Sequence, residues 1–316
     1  MAKAAEAGEV EIFSRVEPDP RVELAAEGTV RVKAFRPDVI VALGGGSAMD
    51  CAKAMAYFSG TDVRLAAIPT TSGSGSEVTD FAVLTHNRVK YPLVDSRLRP
   101  ELAILDDSFL QQLPPALVAD GGFDVLSHAL EAYVAKNASP VTDALARDAF
   151  CTAFANLPAS FAGDQRVRLQ VHNASTLAGM AFTQAGLGMC HAIAHALGGV
   201  FHVPHGRLNA ILLPAVVGCN ARLAAGKYAR LSRAAGLGGS ADTVAVHNLK
   251  NGLIRLRREM KLPATLAEAG IQPRQVWREM DHVVKAALAD PCMETNPVKI
   301  EDFMLRKLLE EVTGRG

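Results

Sequence analysis

Four of the nine histidines, His191, His195, His202 and His205, fall within residues 191 to 205 (HAIAHALGGVFHVPH), and His128 follows Asp124 by four positions in DVLSHALEAYV. Carboxylate oxygen and imidazole nitrogen together suit zinc or ferrous iron, whereas magnesium and calcium prefer all-oxygen surroundings. A spacing of four on a helix places two side chains on one face, so Asp124 with His128, and His191 with His195, can each aim at a common point. Asp124 and His128 could equally be a hydrogen-bonded helical pair. His205 supplies a further imidazole after the Gly198-Gly199 break. Spacing favours His191 with His195 but does not decide which histidines ligate directly. Glu131, three residues after His128, either hydrogen-bonds a ligating imidazole or caps and solvates its helix. His86, His172, His247 and His282 stand alone and read as surface or packed histidines, and His202 carries no assignment.

Two loops add a second kind of chemistry. In DVIVALGGGSAMDCAK, Gly44, Gly45, Gly46 and Ser47 lie between a strand-like run and a helix-like one. Glycine there lets a phosphate approach the backbone, and a helix start favours an anion. The motif is neither GxGxxG nor a Walker loop, so a pyrophosphate cradle and a structural tight turn are equally good readings. Asp50 either faces a ligand or solvates the helix. Downstream, AAIPTTSGSGSEVTDF offers the hydroxyls of Thr70, Thr71, Ser72, Ser74 and Ser76 beyond another strand. Two such loops at strand ends suggest one shared ligand site, since open α/β sheets bind ligands beyond the carboxyl ends of their strands.

These residues need elements to hold them. Val10 to Phe13, Val39 to Leu43, Leu65 to Ile68 and Ala103 to Leu105 read as buried strands, and the segment from Ala48 reads as a crossover helix, predicting a parallel sheet. After Pro114 and Pro115 the periodicity is helical, which divides the chain into an α/β domain over residues 1–113 and an all-helical domain over 114–316. Gly236 to Ser240 (GLGGS) is a loop candidate, while Ile300, Met304, Leu308 and Val312 share one helical face that reads as core packing.

Composition narrows the partners. With 316 residues, 49% of them hydrophobic, the chain can bury a substantial core. Its 33 basic residues balance 33 acidic ones, so no strong field draws it to nucleic acid or an anionic membrane. The five cysteines are scattered without a CxxC pair, as expected of reduced thiols in a cytoplasmic protein. No uninterrupted apolar run is long enough to span a bilayer, and the amino terminus does not read as a secretory signal. A soluble enzyme acting on a small, nearly neutral ligand is the expectation.

Taken together, GGGSAMDCAK, AAIPTTSGSGSEVT, AILD, DVLSHALEAYV, ASPVTDALARDA, HNASTLAGMAF and GLGMCHAIAHALGGVFHVPHGRLNAILLP resemble the iron-containing (group III) alcohol dehydrogenases, in family order over about residues 10 to 300. Within that family the propanol dehydrogenases of propanediol-utilisation microcompartments are most similar. The resemblance implies a dehydroquinate-synthase-like fold, with a dinucleotide-binding α/β domain, a helical metal domain and a cleft between them. It implies Fe2+ or Zn2+ on Asp124, His128, His191 and His205, with His195 beside the metal and handling the hydroxyl proton. It implies NAD(H) held by Gly45, Gly46 and Ser47 at the pyrophosphate, with Asp50 alongside, by Thr70, Thr71 and Ser74 near the nicotinamide, and by Lys90 at the ribose. The implied reaction interconverts short-chain aldehydes such as propanal and acetaldehyde with primary alcohols. An aldehyde dehydrogenase or microcompartment partner, a homo-oligomer, and residence in the cytoplasm or in a bacterial microcompartment follow from the same resemblance.

Three departures from the family pattern define alternatives. Only MAKAAEAGE precedes VEIFSRVEPDP, where relatives carry a further strand and helix, so the nucleotide-binding domain reads as lacking its first unit. The TDVR connection is shorter than in most relatives, and Asp62 within it is not assigned to the ribose. Asp120-Gly121-Gly122-Phe123 replaces the usual approach to Asp124 and is expected to change a loop's shape. The competing readings are a weakly active or inactive truncated paralogue serving as an assembly partner, and a dehydroquinate-synthase-like metal lyase.

Overall fold

In the computed structural model, residues 8–86 and 89–314 are described. The helix α1 (Val22–Phe35) leads into strand β1 (Val39–Gly44), helix α2 (Gly46–Ser59) and strand β2 (Arg64–Pro69), a β-α-β unit whose strands pair in parallel from Val39 with Arg64 to Gly44 with Pro69. Strands β3 (Phe81–His86) and β4 (Val89–Val94) form an antiparallel hairpin, and the short β5 (Leu102–Ala103) adds in parallel to β2. Because β1 and β2 run the same way, the loops that follow them emerge side by side. The hairpin was not anticipated from sequence, although the alternation in FAVLTH signals it.

The expected strand at Val10–Phe13 is absent. Residues 9–17 are irregular and Val10 and Ile12 are more than half exposed. Phe13 instead packs on the small cluster formed by α1, α2 and β3, with the Arg15 and Arg31 guanidinium groups near its ring. The following Pro18-Asp19-Pro20 turn runs alongside β3, where Thr85 donates its N–H to the Pro20 carbonyl.

From Pro115 onward the chain is helical: α3 (Pro115–Val134), α4 (Pro140–Phe161), α5 (Arg168–Ala185), α6 (Met189–Phe201), α7 (His205–Ala234), α8 (Asp242–Glu259), α9 (Pro273–Ala289) and α10 (Asp302–Thr313). Proline at the first helical position of α3, α4 and α9 fits a site whose N–H has no intrahelical partner. The central helix α3 is buried from Phe123 to Val134. Asp120-Gly121-Gly122-Phe123 lies inside α3 and not in a loop, which corrects the expectation of an altered loop shape. Gly236 to Ser240 is non-helical, as read from sequence, and Leu308 and Val312 are buried on α10; Ile300 is buried but precedes that helix and Met304 is only partly buried, which corrects the reading of one helical face. The 30-residue α7 is long and apolar enough to cross a bilayer, but 61% of its most apolar window is buried inside the fold, as for a core helix.

Candidate metal centre and cofactor loops

Three helices converge on one carboxylate. Asp124 and His128 lie one turn apart on α3, His191 in the first turn of α6, and His205 at the first position of α7. Asp124 Oδ1 is 3.8 Å from His128 Nδ1, 3.7 Å from His191 Nε2 and 3.5 Å from His205 Nε2. Asn209, one turn after His205, donates Nδ2 to the same oxygen at 2.9 Å. The rings are ordered by stacking: Phe182 lies 4.4 Å from His128, and His128 lies 4.4 Å from His191.

In two of these rings Nδ1 is engaged in a hydrogen bond. His128 Nδ1 donates to the Gly73 carbonyl at 3.1 Å, and His191 Nδ1 to Glu131 at 2.6 Å. In the neutral ring a proton on Nδ1 leaves the lone pair on Nε2, the form in which imidazole binds a cation; His128 is held neutral, whereas His191 must first release its second proton. Burial opposes ionisation of Asp124, yet the surrounding histidines hold its carboxyl well below the usual range. Burial holds His128 neutral, with its pKa lowered to about 3, and lowers His205 well below the ordinary value. Burial acts in the same sense on His191, but its hydrogen bonds to Asp124 and Glu131 win and raise it to about 9. Asp124, His128 and His191 bring donor atoms within 4.8 Å of one another, and His205 Nε2 lies 3.5 Å from Asp124 Oδ1; one carboxylate and three imidazoles are a donor set suited to a divalent ion such as zinc or ferrous iron.

Glu131 does more than the sequence reading foresaw. It crosses from α3 to the start of α6, where its carboxylate accepts the N–H groups of Gly188, Cys190 and His191 as well as the His191 ring. Because α6 has no side-chain cap of its own, Glu131 closes the end of that helix and orients His191 in the same act. Asn209 was not singled out from sequence, because its role depends on the meeting of α3 and α7 and on no local motif.

His195, one turn beyond His191, stacks on His205 with centroids 5.1 Å apart, and its Nδ1 is 2.9 Å from Asp290 Oδ2. It stands beside the cluster, so the equal pairing of His191 and His195 suggested by spacing is not what the fold builds. His195, Asp290 and Cys292 also gather donor atoms within 4.8 Å. The 2.9 Å separation is nevertheless that of a hydrogen bond between two partners satisfying each other. His202 ends α6 in the left-handed conformation, with its N–H bonded to the Gly198 carbonyl.

The two sequence loops come together. A Cβ on Gly45 would lie 3.1 Å from Thr71 Oγ1, and one on Gly46 would lie 3.1 Å from Ser74 Oγ. Thr70 donates its N–H to the Gly44 carbonyl at 2.9 Å. Ser47 sits in the first turn of α2, which carries no acidic residue, so the helix start is open to an anion. The expected shared position of the loops is what the sheet produces.

Asp50 is engaged within the protein. Its carboxylate accepts the Ser76 hydroxyl at 2.8 Å and the Val83 N–H at 3.0 Å, so both oxygens tie α2 to the second loop and the hairpin. Lys90 Nζ pairs with Asp19 at 2.7 Å, on the wall of a cavity of about 530 Å³ that also includes Arg15, Gly199 and His202.

The second loop also reaches the metal cluster. Gly73 donates its N–H to Ser175 Oγ at 2.8 Å while its carbonyl accepts from His128, and Ser72 Oγ is 3.0 Å from His172 Nδ1 on α5. His172 thus secures the loop and is no lone packed histidine. One peptide unit connects the serine- and threonine-rich loop to a candidate metal ligand.

Sequence comparison matches residues 2–107 to the iron-containing alcohol dehydrogenase model and residues 118–313 to the carboxyl-terminal model of the Fe-containing alcohol dehydrogenase family. A 1-propanol dehydrogenase of Citrobacter freundii is 45% identical over 316 residues, covering 96% of this chain and 85% of its own length. An NADPH-dependent butanol dehydrogenase of Clostridium saccharobutylicum is 39% identical, covering 96% and 84%. Among solved structures, an iron-containing alcohol dehydrogenase from Thermococcus thioreducens superposes with a TM-score of 0.92 at 33% identity, covering 98% of this chain and 87% of the other. A sulfoacetaldehyde reductase from Bifidobacterium kashiwanohense, determined in complex with NAD+, gives a TM-score of 0.89 at 27% identity, covering 100% and 86%. With both halves of the chain matched and this degree of identity over nearly its whole length, the chain belongs to the iron-containing alcohol dehydrogenase family.

Proposed function

We propose that this enzyme interconverts short-chain aldehydes, such as propanal and acetaldehyde, with primary alcohols, using NAD(H) and a ferrous or zinc ion on Asp124, His128, His191 and His205. The observation that carries the reading is the gathering of Asp124, His128 and His191 donor atoms within 4.8 Å of one another, with His205 Nε2 3.5 Å from Asp124 Oδ1 and the Nδ1 atoms of His128 and His191 bonded to Gly73 and Glu131. When bound, the cation supplies Lewis acidity toward a carbonyl or hydroxyl oxygen, and the nicotinamide supplies or accepts the hydride.

The chain's own residues do the rest. Gly45, Gly46 and Ser47 at the start of α2 cradle the pyrophosphate with backbone N–H groups. Thr70, Thr71 and Ser74 place the nicotinamide half, and Lys90 reaches the ribose. Gly73 spans the two sites, so seating the cofactor and orienting His128 are one structural event. Holding both reactants in one cleft replaces a bimolecular encounter by a fixed approach. His195 handles the hydroxyl proton, accepting it in oxidation and returning it in reduction.

The division at residues 113 and 114 separates the part that binds nucleotide from the part that binds metal. The likeness to 1-propanol dehydrogenase supports a place among propanediol-utilisation enzymes, in the cytoplasm or in a microcompartment, and the likeness to a bifunctional aldehyde-alcohol dehydrogenase supports an aldehyde dehydrogenase partner; a homo-oligomer is part of the same proposal. Anaerobic reconstitution with ferrous iron or zinc, followed by propanal- and acetaldehyde-dependent oxidation of NADH and of NADPH, tests the proposal. NADH oxidation that requires both metal and aldehyde is the expected result. No turnover with either metal would overturn the reading in favour of a weakly active or inactive paralogue, and preference for NADPH would overturn the cofactor assignment alone.

A further inference from the structure

Asp290 occupies the junction between α9 and the single 3-10 turn of Pro291–Thr295. Its Oδ1 accepts the N–H of Cys292 at 2.8 Å, which caps the turn, and its Oδ2 lies 2.9 Å from His195 Nδ1. The cap uses one oxygen only. The other is carried by a short, proline-fixed turn to a ring that stacks on His205 and stands edge-on to His191 at 6.1 Å.

A hydrogen bond to one imidazole nitrogen decides where the other keeps its lone pair. A carboxylate accepts and cannot donate, so it selects the ring with hydrogen on Nδ1 and leaves Nε2 as the acceptor. We infer that Asp290 is a positioning residue for the reaction, holding His195 in the Nδ1–H form with Nε2 presented to the substrate hydroxyl proton. In alcohol oxidation that proton passes from oxygen to Nε2, giving an imidazolium whose charge the Asp290 carboxylate balances; in aldehyde reduction it returns. The inference rests on the proton-handling reading of His195.

The test compares the metal-loaded wild type with His195→Ala, Asp290→Asn and the double variant, measuring metal content, KM for NADH and propanal, and kcat. Asparagine retains a cap acceptor for the Cys292 N–H, so Asp290→Asn should fold and keep its metal. Its amide can also donate to Nδ1, so the ring loses its fixed tautomer and kcat should fall by about 10- to 100-fold with KM for NADH within about twofold. If Asp290 acts through His195, the double variant will be no slower than His195→Ala, whereas independent roles would multiply. A slow His195→Ala beside a fast Asp290→Asn, or a multiplicative double variant, would overturn the positioning role and spare the His195 reading. A His195→Ala variant with wild-type kcat would overturn both. In the zinc-loaded protein, nitrogen NMR should find His195 protonated on Nδ1 in the wild type; an Nε2–H ring would also overturn the inference.

Discussion

Glu131 shows how one buried side chain can serve stability and chemistry together. It satisfies three N–H groups at the start of α6 and the Nδ1 of His191. Removing such a carboxylate leaves buried donors unpaired and frees the orientation of the imidazole. Glu131→Gln should therefore weaken metal affinity by about 10- to 100-fold, measured by competition with a chelator. An unchanged affinity would show that His191 needs no help from α3. His191→Ala, which removes a donor outright, should lose metal more completely than His195→Ala, which metal analysis can decide directly.

The loop after β2 joins the α/β part to the metal helices, and its packing explains the glycine at 121. A Cβ there would stand 2.0 Å from the Ser72 carbonyl oxygen, a collision with backbone that rotation of a side chain cannot relieve. Gly121→Ala should displace the loop, destabilise the fold by about 1 to 3 kcal/mol, raise KM for the cofactor and weaken metal binding together; a change in only one of these would mean that the sites are not joined through Gly73. The parallel β1–β2 pair, the two loops and the helical spacing of Asp124 and His128 were all legible in sequence, because each is a local pattern. The strand at Val10–Phe13 was misread because alternation cannot tell whether a neighbouring strand edge exists. The partners of Asp50, Ser76 and Val83, were not legible, because a carboxylate after a glycine turn gives no local sign of the loop and hairpin that pack against it. Glu131 was recognised as a partner but not His191 as its object, and Asp290 went unnoticed, since both contacts join residues far apart in sequence.

At the scale of the whole molecule, buried charge ties the parts together. Lys53 on α2 donates to the Thr79 carbonyl, the Thr79 hydroxyl and the Phe81 carbonyl, and burial lowers its pKa from 10.5 to about 8. The cost of burying that charge is fully present below pH 8 and is relieved as the pH rises toward 10.5, so stability from this group increases across that window. Denaturation of the wild type and Lys53→Met between pH 8 and pH 10 should show the wild type gaining relative to the variant, and a constant difference would contradict the assignment. The metal cluster draws its ligands from α3, α6 and α7, so occupancy should stabilise the helical part as a unit. The most direct test of the account is the metal content of the purified, anaerobically loaded chain and of its Asp124→Ala variant, read beside NADH oxidation with propanal. One divalent ion per wild-type chain, with both ion and turnover lost in the variant, is the predicted result; an Asp124→Ala protein that keeps its ion or its rate would contradict it.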